Sequence, residues 1–304
     1  MRYLLFPLFF CLLGSCSDTT SNAGDERLNV VTTTTMLTDL AKNIGGDSIR
    51  VTGLMGSGVD PHLYKASEGD VTKLTGADVI FYNGLHLEGK LEDVFERMGR
   101  DGKTVALAEV LDKSGLISSA NFASNYDPHV WFDIEYWFQM AEKMTTELIA
   151  RDPENADFFR ERLRLYLVEL TELEADIRAT IATLPENRRV LVTAHDAFNY
   201  FGRAYGFEVV GLQGLSTATE AGVRDVQELA DLIIERQIPA IFVESSVPRR
   251  TIEALQAAVR SRDFTVEIGG TLYSDALGSA GTEEGTYTGM FRANVSTIVT
   301  ALQP

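Results

Sequence analysis

The stretch DPENADFFRERLRLYLVELTELEADIRATIATLP, Asp152 to Pro185, decides the architecture of this 304-residue chain. Asp152 is a suitable N-cap, Pro153 suits a first helical position, and Pro185 closes the far end. Apolar residues recur at Phe159, Leu163, Tyr166, Leu167, Leu170, Leu173, Ile177 and Ile181, three or four apart, which is the spacing of one helix face. About 30 residues at 1.5 Å each make a rod of roughly 45 Å. The pattern lasts too few heptads for a coiled coil. It reads as a single rigid helix, long enough to cross the back of two lobes.

Working outward, each flank alternates strands with helices. Before the rod, Leu28–Thr34, Ile49–Met55, Ala77–Tyr82 and Thr104–Val110 read as strands, with a helix over Leu87–Met98 among those between them. After it, strands are expected at Arg189–Thr193, Glu208–Leu212, Ala240–Glu244 and Thr265–Ile268. Helices are expected there at Asp196–Tyr205, Val223–Gln237, Pro248–Arg260 and Tyr287–Leu302. Alternation of this kind signals parallel sheets. The expected fold is therefore α/β: two similar lobes with parallel sheets, residues 28–152 and 185–304, joined by one long rigid backbone helix over 153–184.

The chain opens with Arg2, an apolar run from Leu4 to Leu13, then Gly14-Ser15-Cys16, which reads as a secretory signal rather than a membrane helix. Leu13-Gly14-Ser15-Cys16 resembles the lipobox of bacterial lipoproteins. That resemblance implies removal of residues 1–15 and acylation of Cys16, with 16–27 a polar tether to the first lobe. Acyl chains on one residue would hold an exported protein at a membrane surface. The two cysteines are Cys11 and Cys16, so the mature chain keeps no thiol for a disulfide, a nucleophile or a metal thiolate. Any metal site must be built from His, Asp and Glu. A net charge of -17 would be repelled by phosphate backbones, which argues against nucleic acid as a partner.

Four histidines occur: His62, His86, His129 and His195. His62 and His129 each close an Asp-Pro-His tripeptide, Asp60-Pro61-His62 and Asp127-Pro128-His129. Proline fixes its own φ and biases its predecessor toward an extended shape, so each imidazole is presented from a stiff turn. His195 ends Val190-Leu191-Val192-Thr193-Ala194, at the carboxyl edge of a strand where ligands of α/β sheets bind. A lone histidine is more often a satisfied core or surface residue, but these contexts favour metal ligation. Asp275, in Leu272-Tyr273-Ser274-Asp275-Ala276-Leu277-Gly278, is the candidate fourth ligand. Its competing reading is a helix N-cap before Ala276-Leu277.

These motifs also stand in a familiar order. The two Asp-Pro-His turns, Tyr82-Asn83-Gly84-Leu85-His86-Leu87-Glu88, Thr193-Ala194-His195-Asp196-Ala197-Phe198, Phe242-Val243-Glu244-Ser245-Ser246 and Ser274-Asp275-Ala276-Leu277 resemble the cluster A-I (TroA/ZnuA/PsaA-like) solute-binding lipoproteins of ABC importers. Tyr205–Val209 and Gly211–Thr217 look most like the TroA branch. The resemblance covers the whole mature chain. It implies that His62, His129, His195 and Asp275 coordinate one divalent transition metal ion, Zn2+ or Mn2+ with Fe2+ as a further candidate. It also implies partnership with a membrane permease and its ATPase, and a chain acting as a monomer. His86 matches no ligand position and is read as structural. Asp60, Asp133, Glu220 and Glu244 are read as solvated or capping carboxylates, with orientation of the imidazoles as the alternative. Two departures bear on the metal. Ser114–Tyr126 lacks the His-rich loop of many zinc-type members, and many manganese-type members carry Glu where this chain has His195.

Three imidazoles and a carboxylate suit tetrahedral Zn2+, whereas Mn2+ prefers more oxygen donors, which a bidentate Asp275 would partly supply. Two other functions fit the sequence less well. A zinc hydrolase would need an open coordination position, which Asp275 would fill, and no His-Glu-x-x-His helix or nucleophile elbow is present. A surface adhesin would need a recognition repeat, and none is visible.

Overall fold

A computed structural model describes residues 27–99, 102–120 and 122–303; the signal segment, Cys16 and nearly all of the tether lie outside them. In the first half, β1 (Leu28–Thr32), β2 (Ile49–Gly53), β3 (Val79–Tyr82) and β4 (Thr104–Ala106) form one parallel sheet in the order β2-β1-β3-β4. Between and after the strands lie α1 (Thr35–Gly45), α2 (Glu68–Thr75), α3 (Glu92–Gly99) and α4 (Ile134–Arg151). In the second half, β5 (Val190–His195) pairs in parallel with β6 (Glu208–Gln213), and β7 (Ala240–Glu244) with β8 (Glu267–Leu272). The helices there are α6 (Asn199–Tyr205), α7 (Val223–Glu235), α8 (Arg250–Arg260) and α9 (Tyr287–Leu302). No helix among the described residues is long and apolar enough to cross a membrane.

The rod is α5, Ala156–Ala182, entered through a 3-10 turn at Pro153–Asn155 that Asp152 caps by accepting from the Asn155 N–H. Phe159, Tyr166, Leu170, Leu173, Ile177 and Ile181 are buried, with Leu163 and Leu167 half-buried against the same core. One end of the rod touches the first half, where Arg162 Nε donates to the Asn43 carbonyl at 2.7 Å. Farther along it meets the second: the Thr288 hydroxyl donates to Glu169 at 3.0 Å and the Tyr205 hydroxyl to Glu174 at 2.5 Å. The largest apolar cluster accordingly runs without a break from α1 and α4 across α5 to α9. Within it, Trp137 of α4 stacks on Tyr287 of α9 with ring centroids 4.6 Å apart. Stacking and continuous burial across the halves favour one relative placement of them.

Four elements depart clearly from the sequence reading, the first being the strand expected over Thr104–Val110, which ends at Ala106 and passes into a 3-10 helix over Leu107–Val110. The helix expected from Leu87 begins only at Glu92, because Gly84, Leu85 and His86 all take positive φ and Glu88 folds back to accept hydrogen bonds from the backbone of Asn83 and Gly84. The helix expected from Asp196 begins at Asn199, since the Asp196 carboxylate instead accepts from the Gly211 N–H at 2.7 Å. The last strand runs over Glu267–Leu272 rather than ending at Ile268. Gly269 and Gly270 lie inside it, Gly269 being the extra residue of a bulge opposite Ile241 and Phe242. Glycine is needed there for close approach: a Cβ on Gly269 would stand 2.5 Å from Ala301 of α9.

Candidate metal centre

The carboxyl ends of the strands in both halves converge on one buried cluster. His62 lies in the turn after β2, His129 in the segment between β4 and α4, His195 is the last residue of β5, and Asp275 follows β8. Their ligand-capable atoms all lie within 4.8 Å of one another. The Nε2 atoms of His62 and His129 are 3.3 Å apart. Asp275 Oδ2 lies 3.2 Å from His195 Nε2 and 4.0 Å from His62 Nε2, and Asp275 Oδ1 lies 3.6 Å from His129 Nε2. A tetrahedron with metal–ligand bonds of about 2.05 Å has edges of about 3.3 Å, so the cage is sized for a small divalent ion. His129 and His195 are fully enclosed, and His62 is 5% exposed. No helix starts at Asp275: its neighbours are loop residues and α9 begins at Tyr287, which removes the capping alternative.

Each deep imidazole is held by a carboxylate. His129 Nδ1 donates to Asp127 Oδ1 at 2.7 Å, and the same oxygen accepts the His129 backbone N–H at 2.9 Å. Glu244 uses both oxygens on His195: Oε1 accepts the backbone N–H at 2.8 Å, while Oε2 lies 2.6 Å from Nδ1 in a bent ion-pair contact. With Nδ1 turned to a carboxylate, each Nε2 is the nitrogen that faces the centre. Glu244 is thus an orienting group, not the solvated or capping residue expected. Asp127 has that role too, and the sequence reading did not single it out. Among the other carboxylates, Asp133 caps α4, Glu220 is exposed beside Arg250, and Asp60 closes the turn that carries His62. His86 stays outside the cluster, bonded to Glu92 at 2.6 Å with the Phe122 ring edge-on to both it and His62.

The electrostatics suit a cation. Burial disfavours charge on His195, but Glu244 and Asp275 on its two sides outweigh that and raise its pKa well above the ordinary histidine value. Burial would also raise the Asp275 carboxyl, yet His195 and then the other two imidazoles hold it well below the usual range. Burial pushes His62 down to about 3 despite Asp275, leaving it a neutral donor. Hydrogen bonds tie the ligand-bearing segments together across the halves, two of them at Trp131. Trp131 Nε1, two residues after His129, donates to the Ser274 carbonyl beside Asp275 at 3.0 Å, and the Tyr287 hydroxyl donates to the Trp131 carbonyl at 2.7 Å.

Residues 30–301 match the family described as ZnuA, zinc-uptake complex component A, periplasmic. The chain is 50% identical to the manganese-binding lipoprotein MntA of Bacillus subtilis (strain 168), over all of this chain and 98% of that protein. It is 49% identical to the zinc-binding protein TroA of Treponema pallidum (strain Nichols), over 92% of this chain and 90% of the other. The solved structure of the Treponema pallidum periplasmic zinc-binding protein superposes with a TM-score of 0.89, covering 91% of this chain and all of that one. The sequence singled out the TroA branch, yet the manganese-named and zinc-named relatives stand equally near. On a match running from residue 30 to residue 301 and identities of this size over nearly whole chains, the protein belongs to the ZnuA family of periplasmic metal-uptake components.

Proposed function

We propose that this chain is the metal-binding subunit of an ABC importer, capturing one Zn2+ or Mn2+ ion between its halves and delivering it to a membrane permease driven by a cytoplasmic ATPase. The observation that carries the reading is the enclosed His62, His129, His195 and Asp275 cluster, with donor atoms at metal-cage spacing drawn from both halves. The protein is a solute-binding component and not an enzyme, a reading that its membership of a metal-uptake family supports. Its lobes are residues 28–152 and 185–304, with 153–184 as the link. The chain acts as a monomer, exported and held to the membrane by acyl chains on Cys16. The lipoprotein name of the 50%-identical relative supports that anchor.

Titration of chelator-stripped mature protein with Zn(II) and Mn(II) tests the reading, with Asp275→Ala and His195→Ala alongside. One ion per chain is expected, with affinity lower by at least about 100-fold in each variant, since each loses one of four ligands from an enclosed site. Binding indifferent to both substitutions would sink the assignment.

A further inference from the structure

The two Asp-Pro-His turns share a feature that ligation alone does not require. In each, one carboxylate oxygen closes the turn on its own histidine: Asp60 Oδ1 accepts the His62 N–H at 2.8 Å, and Asp127 Oδ1 the His129 N–H at 2.9 Å. In each, the other oxygen accepts a hydrogen bond from the second half of the chain. Asp60 Oδ2 accepts from Thr217 Oγ1 at 2.5 Å, and Asp127 Oδ2 from Asn199 Nδ2 at 3.0 Å. Thr217 lies in the loop after β6, while Asn199 opens α6, so the two donors come from different elements. Their shared target is the aspartate of a repeated tripeptide.

We propose that Thr217 and Asn199 are positioning residues, a pair of clasps through which the second half fixes the two metal-binding turns of the first, and that they set how long the captured ion is retained. The proposal rests on the reading that the ion sits at the four-residue centre. When the halves are seated, both turns are locked through their aspartates and both imidazoles stay aimed inward. Any separation of the halves breaks both hydrogen bonds together and frees both turns at once. Hydrogen bonds to a carboxylate are stronger than neutral ones, and the Asp127 side chain is fully buried, so water cannot replace its partner in the seated state. Departure of the ion requires that separation. Arrival from solvent begins before the clasps form. Loss of a clasp therefore speeds dissociation and leaves association nearly unchanged.

The experiment uses the mature chain loaded with Zn(II), chased with excess chelator in a stopped-flow instrument. Thr217→Val and Asn199→Leu remove a donor at nearly constant volume, and Thr217→Ser keeps the hydroxyl. Each donor-less variant should release Zn(II) about tenfold faster than the parent, with the double variant releasing it faster than either single one. Association rates should stay within about twofold of the parent, as should release from Thr217→Ser. Parental dissociation in both donor-less variants would overturn the proposal. So would equal acceleration in Thr217→Ser, because the hydroxyl would then be irrelevant. Failure of the underlying reading shows separately, as Zn(II) binding by His195→Ala at the parent's affinity.

Discussion

Glu244→Gln gives the sharpest test of how the centre is organised. Glu244 spends its two oxygens on two different groups of His195, the backbone N–H at 2.8 Å and Nδ1 at 2.6 Å. A glutamine can face only one of them with its oxygen. If the oxygen keeps the backbone N–H, the amide NH2 meets Nδ1 and pushes the ring toward the tautomer that carries its proton on Nε2, the atom needed for the metal. If the amide turns over, NH2 confronts the backbone N–H instead. Either way one charge-assisted contact, about 1.5–3 kcal/mol, is exchanged for a repulsion in a buried site. At 1.4 kcal/mol per factor of ten, about 100-fold weaker metal binding is expected. Asp127→Asn is a built-in contrast, because Asp127 serves both His129 nitrogens with the single atom Oδ1, which an asparagine oxygen can replace. About tenfold weakening is expected there, from lost charge and a disturbed partner in Asn199. Chelator competition gives the affinities, and imidazole 15N shifts of the Zn(II)-loaded proteins give the tautomers. Glu244→Gln within threefold of the parent, or Asp127→Asn as damaging as Glu244→Gln, would refute the account.

Two further outcomes follow from charge and burial. Glu244 and Asp275 raise the pKa of His195 against the effect of burial, so the metal-free site holds a proton there more tightly than a free imidazole does, and an incoming metal competes with it. Affinity should then rise with pH through the neutral range, and calorimetry in buffers of different ionisation enthalpy should detect proton release on binding; a flat profile would contradict the charge arrangement. Away from the centre, burial raises Asp39 from 3.8 to about 6, so the folded state holds that proton more tightly than the unfolded chain does. The carboxyl's stabilising contribution is full below pH 4 and is lost as pH rises through 6, a change of about 3 kcal/mol. Asp39→Asn keeps an acceptor for the Tyr287 N–H without the charge, so urea midpoints should rise at pH 7.5 and stay level at pH 4. Equal shifts at both pH values would remove Asp39 from the balance.

Much of this was legible because it follows from local chemistry. The apolar face of α5 needs only a 3.6-residue period, and all eight of its periodic positions meet the core. The stiff Asp-Pro-His turns needed only proline, and the strand-end position of His195 needed only the apolar run before it. What escaped depends on contacts between distant segments. Gly269-Gly270 reads as a turn until α9 is laid over it, with Thr297 and Ala301 where side chains would have been. The positive φ at Leu85 and His86 accompanies Glu88 turning back onto the nearby Asn83 and Gly84 amides, and the distant part of that arrangement is the Thr33 hydroxyl, which donates to the same Glu88 carboxylate at 2.6 Å.

Glu244 is the instructive case, because a signal was there and was not used. It ends Ala240-Ile241-Phe242-Val243, a strand buried at every position. A continuous apolar run of that kind belongs to a parallel strand covered on both faces, and a charge at its end has no solvated side to turn to. Such a carboxylate must find a hydrogen-bonding partner inside the protein. The neighbouring strand β5 ends in His195, whose backbone N–H supplies the hydrogen bond and whose Nδ1 stands in ion-pair contact with the other oxygen. By the same reasoning, a buried carboxylate beside each of His129 and His195 settles which nitrogen faces the ion, and leaves metal selection to the size of the cage and the choice of Asp275 as its single oxygen ligand.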